Sequence, residues 1–198
     1  MFAALGTALV RSAQALSMPP YKVIAVDCDN TLWKGILGED GERGIRIPDG
    51  YLDRMPTVEK IEGAMSAQPM VTVPCNNDLL AENYIDDGRQ LWLIDFEYSG
   101  NNDPTFELGN TCQEMQFNDE QIEEVCAAYF GASSSDKIAR MKLNMIMSDV
   151  GWVLWAAIQA DISTIEFDFW GWSIERWGRA VEKMDSAEFP IWLKDVQV

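Results

Sequence analysis

Apolar residues recur along the second half of the chain with the period of an α-helix. The clearest stretch runs from about Asp136 to about Ile162, where large apolar side chains return every three to five residues and so fall on one helix face. We predict one long helix there, and four or five helices in total after the strands near the middle of the chain. The positions that carry the pattern are Ile138, Met141, Met145, Val150, Leu154 and Ile158.

Short strands are predicted before these helices. The residues from Met70 to Val73 form one apolar run. The segments from Asn83 to Ile85 and from Leu91 to Ile94 flank Asp86-Asp87-Gly88, a sequence typical of a tight turn between antiparallel strands. The pattern therefore predicts an α+β fold that is mainly helical and contains a small β-hairpin.

Charge divides the chain into two parts. The 198 residues carry a net charge of -17, and residues 1–48 are balanced, with five basic and five acidic side chains. Residues 49–198 hold the whole excess, which predicts a domain junction near Pro48-Asp49-Gly50 and an N-terminal part made of a helix and a strand. So acidic a surface repels phosphate backbones, and a nucleic-acid partner is not expected.

Composition removes several other classes of protein. The chain contains no histidine, which excludes Ser-His and Cys-His nucleophile pairs and every metal site built on imidazole. The apolar stretch from Met1 to Val10 is stopped by Arg11 and is far short of the roughly 20 residues that cross a bilayer, so no membrane span is predicted. The four cysteines have no C-x-x-C spacing, and reduced thiols in the cytoplasm are expected.

Three polar residues in the middle of the chain have the spacing of a phosphoryl-transfer site. Asp78 is followed directly by Leu79 and, five residues after Asp78, by Asn83, and Asp95-Phe96 begins twelve residues after Asn83. Protein kinases place a catalytic aspartate, a metal-binding asparagine and a metal-binding aspartate in this order and at this spacing. A solvated hairpin with unrelated carboxylates is the alternative, and it does not explain why all three positions coincide.

Several segments extend this match: Asn-Asp-Leu-Leu-Ala-Glu-Asn at 77–83, Ile-Asp-Phe-Glu-Tyr-Ser-Gly-Asn-Asn at 94–102, Phe-Glu-Leu-Gly-Asn at 106–110, Trp-Ala-Ala-Ile-Gln-Ala at 155–160 and Ser-Thr-Ile-Glu-Phe at 163–167. From about Leu52 to Val198 the sequence resembles the C-terminal lobe of the choline/ethanolamine kinase and aminoglycoside phosphotransferase family. The resemblance implies a protein-kinase-like C-terminal lobe in which Asp78 is the catalytic base, Asn83 and Asp95 bind Mg²⁺, and ATP donates its γ-phosphoryl group to an amino-alcohol hydroxyl.

The acceptor site is predicted among aromatic residues, since aromatic faces and carboxylates together bind a small cationic amino alcohol. Five of the eight tryptophans lie within 26 residues, at positions 152, 155, 170, 172 and 177. We assign Trp155 and Trp172 to substrate binding, together with Glu97 and Tyr98 of the choline and ethanolamine branch pattern. Ordinary helix packing is the alternative for each tryptophan.

The sequence departs from the family pattern in two places. Asn76 stands where the family has histidine, and neither a Gly-rich phosphate loop nor its strand lysine is visible before residue 70. Three interpretations of the activity therefore stay open: a kinase, a kinase that needs a separate chain to complete its nucleotide site, and a catalytically silent remnant or binding module. Strand edges without a covering lobe also predict self-association.

A second resemblance lies upstream, in Tyr-Lys-Val-Ile-Ala-Val-Asp-Cys-Asp-Asn-Thr-Leu-Trp-Lys-Gly at 21–35 and Leu-Gly-Glu-Asp-Gly at 37–41. Residues 20–48 resemble motif I of the haloacid dehalogenase superfamily, FkbH-like branch. That resemblance implies a phosphatase or glyceryl-loading enzyme in which Asp27 is the nucleophile and Asp29 the acid/base. The downstream residues which such a site needs are not found, so this is the alternative function.

Overall fold

The computed structural model describes residues 46–198, so every statement on structure concerns that part of the chain. Asp27, Asp29 and Cys28 lie outside it. Two short 3₁₀ turns, Leu52–Arg54 and Ala81–Asn83, accompany the regular elements. These elements are α1 (Met55–Ser66), β1 (Val73–Cys75), β2 (Tyr84–Asp86), β3 (Leu91–Leu93), β4 (Gly100–Asn102), α2 (Pro104–Glu114), α3 (Asp119–Phe130), α4 (Ser135–Ile162), α5 (Phe169–Met184) and α6 (Phe189–Asp195).

The strands form two small antiparallel pairs. The predicted hairpin is confirmed within one residue: β2 pairs with β3, and Tyr84 lies opposite Leu93. The strand predicted from Met70 to Val73 is wrong by about three residues, because β1 pairs with β4, which extends only to Asn102 opposite Val73. The residues before Val73 therefore have no strand partner in this pair.

Helix α4 is the centre of the fold, and its predicted extent is confirmed within one residue. It packs against α2, α5 and α6. Its side chains Leu143, Ile146 and Val153 are fully buried and form one hydrophobic cluster with residues of α1, α5 and α6. Met141 and Met145 belong to a second cluster, with α2 and α3.

Capping residues explain where three of the helices begin. Pro104 opens α2, and the Asp103 side chain before it accepts a hydrogen bond from the Thr105 backbone N–H at 2.8 Å. Asn118 begins α3 with a capping box. Asp168 caps α5 by accepting from the Gly171 N–H at 2.8 Å.

Gly109 permits the closest approach between α2 and α4. A Cβ atom at this position would lie 2.6 Å from the Met141 backbone oxygen, which is closer than van der Waals contact allows. The glycine of the segment 106–110 is therefore a packing requirement. It lets α2 lie directly against the central helix α4.

The first described residues pack on this helical body. Ile47 borders the main hydrophobic cluster, the Tyr51 hydroxyl donates to the Val150 backbone oxygen at 3.1 Å, and Trp177 Nε1 donates to the Asp49 backbone oxygen at 3.1 Å. A division between residues 1–48 and 49–198 stays a prediction. Between residues 46 and 198 no helix is both long and apolar enough to cross a membrane.

Candidate active site

The loop between β1 and β2 carries Asp78. Asp78 is 9% exposed, and its Oδ1 atom is buried without a hydrogen-bond partner. The neighbouring Leu79 is also buried. An unpaired buried carboxylate oxygen is unusual in a structural residue, because leaving such an acceptor unsatisfied costs about 1–3 kcal/mol.

Asn76 ties the two segments of the site together. Its Nδ2 donates to the Asp95 backbone oxygen at 2.7 Å, and its Oδ1 accepts from the Asp78 backbone N–H at 3.0 Å. The side chain is 3% exposed. The asparagine that replaces the family histidine therefore makes one bond as donor and one as acceptor, the same pair that a neutral imidazole offers.

Asn83 makes a second connection between the same segments. Its Nδ2 donates to the Asp78 backbone oxygen at 2.9 Å, and its own backbone oxygen accepts from the Ile94 N–H at 3.0 Å. Ile94 directly precedes Asp95. The structure thus brings Asp78, Asn83 and Asp95 into one hydrogen-bonded unit.

The site sits in a field of mostly negative charge. Burial raises the pKa of Asp78, and the carboxylates of Asp95, Glu114 and Glu97 raise it further, while Arg176 opposes them. Asp95 and Glu97 are exposed. A carboxylate with a raised pKa is a stronger base, which suits a group that accepts a proton.

Two residues of the site have left-handed backbone conformations, Asn77 with φ of 69° and Asp95 with φ of 60°. Outside glycine this region is sparsely populated, and asparagine and aspartate tolerate it best. Three hydrogen bonds hold Asn77 in this conformation. Its backbone N–H donates to the Glu107 carboxylate at 3.1 Å, and its Nδ2 donates to the Tyr98 backbone oxygen at 3.0 Å. Its Oδ1 accepts from Asn102 Nδ2 at 2.9 Å. Such strain persists where the surroundings fix it, typically at functional sites.

Four aromatic residues form a continuous cluster beside this loop, here called the aromatic cluster: Tyr98, Trp152, Trp155 and Trp172. Ring centroids lie 5.7 Å apart for Tyr98 and Trp152, 5.5 Å for Trp152 and Trp155, and 6.0 Å for Trp155 and Trp172, all edge to face. Trp155 Nε1 donates to the Tyr98 hydroxyl at 3.1 Å. The structure therefore brings together three of the four residues assigned to substrate binding.

The other two tryptophans of the sequence cluster have different surroundings. Trp177 is buried in the main core, where its ring lies 4.8 Å from that of Tyr51. The Trp170 ring lies under the Arg46 guanidinium at 3.8 Å. Trp152, which the assignment omitted, belongs to the aromatic cluster, because it lies three residues before Trp155 on the same face of α4.

Glu114 and Arg176 were not singled out from the sequence. They form an ion pair in which Arg176 Nη2 lies 2.6 Å from Glu114 Oε2, and the guanidinium stacks on the Trp172 ring at 3.6 Å. The two residues are 62 positions apart on different helices. No local pattern relates them, and only the packing of α2 and of α5 on α4 brings them together.

No preformed metal cage exists in the described part of the chain. Among residues 46–198, no three His, Cys, Asp or Glu side chains are grouped as metal ligands. Asn83 and Asp95 provide one amide oxygen and one carboxylate. Mg²⁺ is commonly bound in this way, through one or two protein carboxylates, with water and substrate phosphates completing the octahedron.

The helical lobe, with Asp78 and Asn83 on the segment between β1 and β2, has a kinase-like fold. A family model, Choline/ethanolamine kinase, matches residues 51–180, so the chain belongs to the choline/ethanolamine kinase family. The match begins after residues 20–48 and does not include the segment that resembles haloacid dehalogenases, and that alternative stays a prediction.

Relatives of known name and structure agree with the family. The chain is 32% identical to mouse ethanolamine kinase 1 over 65% of its own length and 45% of that protein, and 33% identical to human ethanolamine kinase 1 over 54% and 29%. A choline/ethanolamine kinase family protein from Mesorhizobium loti aligns with a TM-score of 0.72 and 34% identity, over 77% of this chain and 52% of that one. The chain thus spans about half or less of the length of these relatives.

Proposed function

We propose that this chain transfers the γ-phosphoryl group of ATP to the hydroxyl of a small amino alcohol of the choline and ethanolamine class. One observation carries the proposal. The unpaired, buried Asp78 Oδ1 lies in a loop whose backbone is fixed by hydrogen bonds to the segments of Asn83 and Asp95. Family membership supports the same reaction.

Asp78 acts on the acceptor. Its carboxylate accepts the proton of the attacking hydroxyl and orients that oxygen toward the phosphorus atom. Its raised pKa follows from burial and from the neighbouring carboxylates. Since the base must be ionised, the rate of transfer should rise as the pH increases through the pKa of Asp78.

Asn83 and Asp95 are the residues that would hold Mg²⁺. The metal ion, when bound, neutralises charge on the transferred phosphoryl group. The rigid link between the Asn83 amide and the Asp78 backbone keeps the ligand set and the base at a fixed separation. Such preorganisation supplies much of the rate in phosphoryl transfer, because little covalent chemistry falls to the protein.

The aromatic cluster is the proposed site of the acceptor's ammonium group. Cations are attracted to aromatic faces, and tryptophan attracts them most strongly. One face of Trp172 is already covered by Arg176. The ammonium therefore binds against Trp152, Trp155 and Tyr98, where the exposed Glu97 adds negative charge from the neighbouring segment.

The nucleotide is proposed to bind on the hairpin. Ile85 lies opposite Trp92 in the β2–β3 pair, and Ile94 follows two residues later on the same face. Their exposed fractions are 46%, 51% and 45%, so this apolar face is open next to Asp95. A flat purine ring would cover part of it. A solved structure of LicA in complex with AMP, 28% identical to this chain over 70% of its length, shares the fold with a TM-score of 0.59.

The experiment measures phosphate transfer from γ-labelled ATP in the presence of Mg²⁺ to choline, to ethanolamine and, separately, to an aminoglycoside. The Asp95→Asn variant is tested beside the wild-type chain, and Asp185→Asn, which breaks only an exposed ion pair with Arg54, is the matched control. Transfer to an amino alcohol that Asp95→Asn loses and Asp185→Asn retains would support the proposal.

Other outcomes decide between the alternatives. A folded chain that binds choline without transferring phosphate would favour the silent binding module, and phosphate covalently attached to Asp27 would favour the phosphatase reading. Transfer that appears only after adding a separate N-terminal lobe would show that another chain completes the nucleotide site. A cytoplasmic location and self-association through the open hairpin stay predictions, and light scattering on the purified chain measures the latter.

A further inference from the structure

A buried cluster of charges lies between α2, α4 and α5, behind the aromatic cluster. It holds two carboxylates and two guanidinium groups, on Glu114, Asp149, Arg176 and Arg179. Because positive and negative charges are equal in number, these four groups are neutral together. A balance of this kind is needed in the interior, because an unpaired buried charge is strongly destabilising.

Asp149 is the residue on which both arginines converge. It is fully buried. Its Oδ1 accepts from Arg176 Nη1 at 3.3 Å and from Arg179 Nη2, and its Oδ2 accepts from Gln113. Burial raises the pKa of Asp149, while hydrogen bonds and charge from the arginines act in the opposite direction. The carboxylate is thus saturated by donors from two different helices.

Arg176 connects this cluster to the aromatic residues. Its guanidinium carbon lies 3.6 Å from the centroid of the Trp172 ring, and the group is held there by Glu114 and Asp149. Trp172 in turn contacts Trp155. A shift of the guanidinium would therefore move the rings of the aromatic cluster.

Arg179 is the competitor that Asp149 restrains. Its Nη2 atom contacts Asp149 but also lies 3.7 Å from Glu114 Oε1. If the charge of Asp149 were removed, Glu114 would be the remaining carboxylate for two guanidinium groups. Arg179 would then draw Glu114 away from Arg176, and the stacking of Arg176 on Trp172 would loosen.

We infer that Asp149 is a positioning residue for the acceptor. By binding Arg179 more closely than Glu114 does, it leaves Glu114 to Arg176, and so fixes Arg176 on Trp172 and with it the aromatic cluster against which the ammonium binds. The inference rests on the proposed function of the aromatic cluster. The positioning role of Asp149 differs from that of a purely structural ion pair in one respect. A structural pair changes the stability of the fold, whereas a positioning residue changes acceptor affinity in a protein that remains folded.

The experiment measures choline binding by calorimetry, and ATP binding separately, on the full chain. Asp149→Asn retains the size of the side chain and one acceptor oxygen but removes the charge. We expect its Kd for choline to rise about tenfold, the change that corresponds to ~1.4 kcal/mol, with the Kd for ATP unchanged. Asp185→Asn is the matched control, because it breaks the exposed pair of Asp185 with Arg54 and should leave both constants unchanged.

A double variant, Asp149→Asn with Arg179→Gln, restores the charge balance and removes the competitor. We expect it to bind choline within about threefold of the wild-type Kd, since sites that share a partner are coupled. Should Asp149→Asn alone not fold, as judged by circular dichroism, this double variant decides the matter. Weak binding by a folded double variant would overturn the inference.

The remaining outcomes separate the inference from the proposed function. If the wild-type chain neither binds choline or ethanolamine nor transfers phosphate to them, the proposed function is wrong and the inference is wrong with it. If the wild-type chain binds choline and Asp149→Asn binds it equally well, only the positioning role is overturned.

Discussion

Apolar residues are buried in the helical body, made of α1–α6, but largely exposed in the strand region, made of β1–β4. In α4, Leu143 and Ile146 are fully buried, whereas in β3 Leu91 is 63% and Trp92 51% exposed. Antiparallel strands with one solvated face normally carry polar residues there. The difference indicates that the helices form a stable base, and that the strands present an apolar surface suited to binding something.

Buried carboxylates show a similar contrast. Among the described helices the buried carboxylates have hydrogen-bond partners, as Asp149 has in Arg176 and Gln113. The buried groups left without one in this part of the structure are nitrogens of Asn110, Arg176 and Arg179 and, just after α5, the Ser186 hydroxyl. In the strand region Asp78 keeps an unpaired oxygen, and Asp95 has a strained backbone. The candidate active site lies where the two regions meet, so a rigid base holds groups that are ready to react. The predictions below test this contrast.

The largest expected effect comes from Asp78→Asn. Phosphate transfer should fall about 10²–10⁴-fold, the usual contribution of a general base, because the amide cannot take the proton. The free energy of unfolding should stay the same or increase, since the buried oxygen has no partner to lose. Transfer assays and urea unfolding measure both quantities. Wild-type rates in a folded variant would remove Asp78 from this role.

The contrast in packing predicts that replacing two isoleucines by alanine lowers the free energy of unfolding by unequal amounts. Ile146→Ala should lower the free energy of unfolding by about 2–5 kcal/mol because it leaves a cavity, whereas Ile85→Ala, 46% exposed, should change it by less than ~0.5 kcal/mol. Urea unfolding at low protein concentration measures the difference. A large cost at Ile85 would mean that the hairpin face is covered, for instance by a second copy of the chain.

Asn76→Ala should weaken both function and fold. The change leaves the buried Asp78 N–H without its acceptor, which costs about 1–3 kcal/mol, and a loosened catalytic loop is expected to transfer phosphate roughly 10²-fold more slowly. Asn76→His, the family residue, is the control. Because imidazole offers one donor and one acceptor, it should transfer at or above the wild-type rate, and a loss as large as that of alanine would contradict the bridging role.

The smallest effect concerns the buried thiols. Burial raises the pKa of Cys75 and of Cys112 to about 12, so iodoacetamide should label neither in the folded chain at pH 8. As urea is added, Cys75 in β1 should react before Cys112 in α2, because the strand pair has the smaller packed interface. Mass spectrometry of peptides gives the order. Simultaneous labelling would show that both regions open together.

Local patterns were enough to predict most of the fold. The period of apolar residues placed α4 within one residue, and the turn sequence at 86–88 placed the hairpin, because both signals involve neighbours in the chain. The strand predicted from Met70 was misplaced. Its true extent depends on its partner Gly100–Asn102, a segment of polar and small residues with no strand signal of its own.

The candidate site divides in the same way. The spacing of Asp78, Asn83 and Asp95 was visible because the loop and the hairpin that carry them are contiguous in sequence. Trp155 and Trp172 could be selected as aromatic residues near carboxylates, but their neighbours could not. The ion pair of Glu114 with Arg176 joins helices 62 residues apart, and a pair of that kind leaves no local pattern.

The sequence by itself determined the helices, the hairpin, the acidic character and the order of the groups proposed for catalysis, since each depends on residues close together in the chain or on the identity of single side chains. Only the tertiary structure decided which of these groups are buried, which carboxylate oxygen lacks a hydrogen-bond partner, and which arginine covers Trp172. Burial and charge pairing depend on distances through space, and the packing of α2 and α5 against α4 fixes those distances.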